Sequence, residues 1–95
     1  MHLPFYENLK TTDDYSLFRF TSVGNEEIIK VVEFQKNTIG DVYNLAMGDL
    51  IGEKIFSDTQ ISNNGDIKKV LTTVVNIIQI YTRKYPAIYI YSRKY

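Results

Sequence analysis

The sequence predicts an α+β domain: a mostly antiparallel four-strand meander, then one long amphipathic helix packed on one sheet face, then a final strand. Three observations lead there. Short runs rich in aromatic and β-branched residues alternate with Gly, Asn and Asp clusters between Tyr15 and Ile61. The links between these runs are too short for the crossovers that parallel neighbours require. An apolar repeat at three- and four-residue spacing then runs from Ile67 to Tyr81.

Taken in order, residues 1–14 read as an irregular entry or a first edge strand. Tyr15 to Val23 is a strand whose Phe18 and Phe20 share one side with Ser16 and Ser22, while Tyr15, Leu17, Arg19 and Thr21 take the other. Gly24-Asn25-Glu26 is a turn signal. Glu27 to Gln35 is a strand made nearly continuous in apolar character by Ile28, Ile29, Val31 and Val32. Such a run suits a strand covered on both faces or one inside the sheet. After the turn residues Asn37 to Asp41, Val42 to Met47 is a third strand, closed by Gly48-Asp49, and Lys54 to Ile61 is a fourth.

Asn63-Asn64-Gly65-Asp66 ends the sheet run, with Asn64 or Asp66 as the helix N-cap. Ile67, Val70, Leu71, Val74, Val75, Ile78 and Tyr81 form the expected apolar face. Arg83 and Lys84 suit the negative end of the helix dipole, and Pro86 stops the helix. Ala87 to Tyr95 is the last strand, with Tyr89, Tyr91, Arg93 and Tyr95 on one side.

The 95 residues form one domain, 1–95. A chain of this size buries roughly 60–65% of its unfolded surface. With no cysteine, a disulfide framework, a Cys-rich zinc site and a thiol nucleophile are excluded. The same composition fits a reducing cytoplasm, the expected location. No apolar run reaches the roughly 18–20 residues of a membrane span, and the first residues lack the basic and apolar regions of a signal peptide.

The net charge of zero hides a strong segregation. Residues 1–66 hold all eleven acidic residues and five basic ones, a net of −6; residues 67–95 hold six basic residues and no acid. Two readings stay open: the two parts neutralise each other within one fold, or the basic part meets an anionic partner.

Three stretches occur in order over roughly residues 15–92: Tyr43-Asn44-Leu45-Ala46-Met47-Gly48-Asp49; Ser62-Asn63-Asn64-Gly65-Asp66 with Lys69-Val70-Leu71 and Thr73-Val74; and Tyr85-Pro86 with Tyr89-Ile90-Tyr91. As a set they resemble a family of small bacterial proteins of unknown function, in which YNLAFGD precedes SNNGDxxKVLxTV and YPxxxIY. The resemblance implies membership and brings no activity or catalytic residue. It also departs from the pattern, which continues into an Arg-rich segment resembling ARTRLY; this sequence ends at Ser92-Arg93-Lys94-Tyr95.

The chemistry-bearing residues are sparse. The single histidine, His2, stands in the terminus, a poor place for a Ser-His-Asp relay, and one His without Cys does not make a zinc site. The five glycines fall at turns with no phosphate-loop spacing. Asp49, Glu53, Asp58 and Asp66 could converge at one sheet end as an acid–base pair or a weak cation site, but Asp49 and Asp66 also read simply as turn and cap residues. No cofactor is expected.

The C-terminal segment is the main candidate. Arg83-Lys84-Tyr85 and Arg93-Lys94-Tyr95 repeat a basic-basic-Tyr pattern around the last strand. Cations interleaved with aromatics suit phosphate contact and base stacking, and alternate strand positions recur at about 7 Å. The same tyrosines also suit packing on the sheet, or an edge-strand interface between two copies. The leading expectation is a non-enzymatic interaction domain that binds protein, itself included, through the Tyr-rich strand and the sheet face. The alternative is a nucleic-acid binder, in a defence or toxin–antitoxin context by analogy. Its contacts would be Arg83, Lys84, Arg93 and Lys94 for phosphate and Tyr89, Tyr91 and Tyr95 for stacking. No membrane partner is expected.

Overall fold

A period-two pattern decides which side of each strand is buried, and the sheet follows from it. The computed structural model describes residues 4–36, 42–52, 54–57, 64–86 and 89–92. Its elements are β1 (Lys10–Thr11), β2 (Leu17–Val23), β3 (Glu27–Lys36), β4 (Val42–Ile51), β5 (Lys54–Ser57), α1 (Ile67–Lys84) and β6 (Tyr89–Ser92). Strands β1 to β5 pair in chain order, each antiparallel to the next. The expected meander followed by one long helix is therefore present, with β1 as a short additional edge. β6 returns parallel to β4 along the edge that β5 also uses: β6 pairs with Val42 to Leu45, and β5 with Gly48 to Ile51. A parallel return is possible here because α1 supplies the crossover.

Phe18, Phe20 and Ser22 of β2 are buried, while Arg19, Thr21 and Val23 are exposed. Cross-strand register carries the buried face onward, from Phe18 to Val32 to Met47 and from Phe34 to Leu45. Val70, Thr73, Val74, Ile77 and Tyr81 of α1 are buried, and this apolar stripe joins the sheet's core face. Phe34 and Tyr81 stack with ring centroids 3.9 Å apart and planes within 2°, and Phe18 meets Phe34 edge-on at 6.2 Å. Aromatic pairs of this kind add about 0.5–1.5 kcal/mol beyond their burial.

Several boundaries differ from the expectation, each for a local reason. β2 begins at Leu17, because Tyr15 is left-handed (φ 60) inside a turn. The Asp14 carboxylate holds that turn, accepting hydrogen bonds from Thr12 Oγ1 and Ser16 N. β4 continues through Gly48-Asp49 to Ile51 instead of closing there. Gly48 is buried opposite Val31, and Asp49 pairs with Lys30, so neither makes a turn. The turn comes at Gly52, whose φ of +64 suits glycine. Residues 58–61 of the expected fourth strand lie outside the described residues.

The helix is rotated relative to its expected face. Ile67, Leu71 and Val75 are exposed, and the fully buried Thr73 and Ile77 take part in the core instead. Two adjacent stripes, 67-71-75-78 and 70-74-77-81, satisfy helical spacing equally well. Contacts at both helix ends select the second: Asp66 is held at the start and Tyr81 is stacked on Phe34 near the finish. Thr73 is tolerated in the core because its Oγ1 donates to Lys69 O and accepts from Tyr6 N.

A polar joint locks the helix start to the β2–β3 turn. Asn64 is buried; its Oδ1 accepts from Glu26 N at 2.8 Å, and its Nδ2 donates to Glu26 O at 2.8 Å and Ser22 Oγ at 3.1 Å. Asn25 N donates to Asn64 O. Gly24 must be glycine, since a Cβ there would lie 1.8 Å from Asn64 O. We predict that Gly24→Ala and Asn64→Ala each destabilise the fold by about 1–3 kcal/mol, the cost of broken or unsatisfied buried hydrogen bonds. Exposed Gln79→Ala should stay within about 0.5 kcal/mol. Urea denaturation measures all three, and equal midpoints would refute the joint.

Candidate functional site

The C-terminal candidates divide among three settings. Arg83 is exposed on the last helical turn and has no ion-pair or hydrogen-bond partner among the described residues. Lys84 is engaged within the molecule: its Nζ lies 4.8 Å from the Tyr15 ring centroid and 5.8 Å from that of Tyr85. Each such contact at an exposed site contributes about 0.5–1 kcal/mol. Tyr85 Oη donates to Asp14 O at 2.8 Å, so the basic-basic-Tyr run at the helix end is tied to the turn before β2. Tyr89 and Tyr91 lie in β6, opposite Val42 and Asn44 in parallel register. Arg93, Lys94 and Tyr95 lie outside the described residues.

The acidic candidates are engaged in the fold. Lys30, buried beneath α1, donates to Asp49 Oδ1 at 2.6 Å. Removing one partner of a buried pair typically costs about 3–5 kcal/mol, because the other charge stays desolvated. Asp66 is the N-cap residue, but its side chain makes no cap hydrogen bond. Its Oδ2 instead accepts from Ser22 Oγ at 2.6 Å and from Tyr6 Oη, while Val23 N donates to that same phenol oxygen. Glu53 and Asp58 lie outside the described residues. Among the described residues no group of three or more His, Cys, Asp or Glu is placed to hold a metal ion.

Three titrations follow from these surroundings. Burial opposes ionisation of Asp66, but donation from Ser22 and Tyr6, with the charge of Lys30, outweighs it and holds the carboxyl below its usual range. Burial, reinforced by donation to Asp66, pushes the Tyr6 phenol up. Burial, together with the neighbouring Tyr43 and Tyr85, pushes Tyr81 up to about 12.

Sequence reasoning named the sheet face as a surface without naming its residues. On the side away from α1, register sets Ile29 between Thr21 and Leu50, Val31 between Arg19 and Gly48, and Glu33 between Leu17 and Ala46. Val31 is only 4% exposed there, whereas Ile29 is 38% exposed. The signal for this face was the nearly unbroken apolar run of β3, since alternate residues of a strand point to opposite faces. A second apolar surface, Ile67, Leu71 and Val75, follows from the rotation of α1.

Residues 2–94 match the family described as Family of unknown function (DUF6934), and the chain belongs to it. No curated protein and no solved structure matches the chain.

Two pH dependences are expected. Asp66 has a folded pKa below the ordinary aspartate value of 3.8, so its stabilisation is complete above that value and is lost as pH falls through the depressed one. Asp66→Asn should flatten the acid limb of stability against pH, measured by urea denaturation; an unchanged limb would count against the assignment. Tyr81 has a raised folded pKa, so its contribution is complete below 10.0 and is lost as pH rises through about 12. A tyrosinate absorbance titration should show a late step, missing in Tyr81→Phe, that coincides with unfolding.

Proposed function

We propose that this member of the family is a non-enzymatic interaction domain whose binding surface is the sheet face opposite α1, with the neighbouring β6 strand, and that its partner is a protein, a second copy of the chain included. One observation carries the reading: β3 is apolar on both faces, yet the described helix covers only one. Ile29 and Leu50 stand side by side in register on the other face, with Val31, Ala46 and Leu17 beside them. Apolar side chains at the centre with charged Arg19, Glu27 and Glu33 around them suit a protein interface with a polar rim. β6 adds a strand with no second strand partner among the described residues, an edge that can pair with another chain.

Nucleic acid is the second reading. It is favoured by Arg83, which has no partner among the described residues, and by the absence of any acid after Asp66. Binding that weakens with salt at a log–log slope of about −2 to −4 would support it, since a few phosphates would then be contacted.

Sedimentation equilibrium over a wide concentration range tests the first reading. The wild type is expected to associate, and Ile29→Asp to remain monomeric with unchanged far-UV circular dichroism. A wild type that stays monomeric at the highest concentration would overturn self-association. Association unaffected by Ile29→Asp would overturn the choice of face.

A further inference from the structure

Lys10 and Arg19 stand directly opposite each other in the antiparallel β1–β2 pair. Directly opposed residues share a face, so two cations meet at a position where like charges are destabilising. Both are exposed, and among the described residues neither is within ion-pair distance of a carboxylate. The chain has eleven acidic residues and places none of those described against this pair. An anion from outside would convert the repulsion into binding.

The surroundings indicate on which side such an anion sits. The pair separates two depressions. Towards Leu17, the Thr11 and Thr12 hydroxyls already donate to Leu17 O and Asp14 Oδ1, and the Asp14 carboxylate is itself an anion. Towards Ile29, a depression of about 160 Å³ is lined by Asn8 and Thr21, whose side chains make no hydrogen bond among the described residues. Four residues that carry side-chain donors therefore line it: Arg19 with a guanidinium fork, Lys10 with an ammonium, Asn8 with an amide and Thr21 with a hydroxyl. A guanidinium and an ammonium approaching from two strands suit a tetrahedral, multi-oxygen anion, since each cation can engage different oxygens.

We infer that Lys10 and Arg19, with Asn8 and Thr21, form a binding site for a phosphate group, free or as a phosphodiester. The site names a ligand chemistry that the interaction reading does not; it shares Arg19, Thr21 and Ile29 with the edge of that face, so phosphate and a protein seated there would compete.

The test is an amide chemical-shift titration with inorganic phosphate at constant ionic strength. Saturable shifts are expected at Lys10, Arg19 and Thr21, larger than at Lys68 and Arg83. Arg19→Gln should weaken binding about tenfold or more, equivalent to at least 1.4 kcal/mol. Lys10→Glu should abolish binding yet raise the melting temperature, because it sets a carboxylate opposite Arg19. That variant keeps the test independent of folding. A second arm uses a short single-stranded oligodeoxynucleotide: displacement of bound phosphate from Lys10 and Arg19 identifies a backbone phosphodiester as the source, and its absence a free phosphate group. Shifts that do not saturate, are equal at Lys68 and Arg83, or persist in Lys10→Glu overturn the site.

Discussion

The Asp66 carboxylate is shared by Ser22 of β2 and Tyr6 of the N-terminal segment, and it stands immediately before the first turn of α1. Two residues earlier, Asn64 occupies the β2–β3 turn through its side chain and its own carbonyl. These contacts join three parts of the chain that are distant in sequence, the N-terminal segment at Tyr6, the end of β2 with its turn, and the helix start, and they fix where the helix begins and how it is rotated. Because the groups are removed from water, each bond left unmade would be expensive, which makes the joint specific. Helix rotation in turn decides that Tyr81 stacks on Phe34 and that Leu71 and Val75 remain outside.

Among the described residues, no ion pair joins the acidic and basic parts of the chain. The described salt bridge joins Lys30 to Asp49, both from the acidic part. The cations of α1 behave differently: Lys69 lies 4.3 Å from the Tyr6 ring centroid and Lys84 lies over Tyr15, while Lys68 and Arg83 face solvent. Tyrosines thus serve as the intramolecular partners of part of the basic segment. That use competes with the stacking role expected for basic-basic-Tyr at the helix end, because Tyr85 and Lys84 are already committed to the turn that holds Tyr15.

A sheet covered by one helix has two unlike faces. The core face collects Phe18, Phe20, Val32, Phe34 and Leu45, which a single amphipathic stripe can cover. The opposite face keeps apolar residues at its centre and polar or charged ones around them. Its conspicuous charges, Lys10 and Arg19, are opposed rather than paired. The fold is satisfied by the first face. Among the described residues no helix covers the second, the face on which the proposed protein interface and phosphate site both lie.

Strand–helix order, the antiparallel meander and the division of β2 into two sides could be read from the sequence, because these follow from local periodicity and short links. Phe18, Phe20 and Ser22 were legible as one face, and Val70, Val74 and Tyr81 as part of the helix stripe. The SNNGD run carried part of the family resemblance, and two of its residues, Asn64 and Asp66, make the polar joint. Tertiary structure alone decided the rest. Asp49 looked like a turn residue until β3 set Lys30 opposite it, and Thr73, outside the expected helix face, is buried with a backbone N–H from Tyr6. The opposed cations Lys10 and Arg19 are nine residues apart in sequence, and only strand register makes them neighbours. Periodicity reports which side of an element is apolar, but the partner across the gap is set by register and helix rotation, which depend on contacts between distant residues.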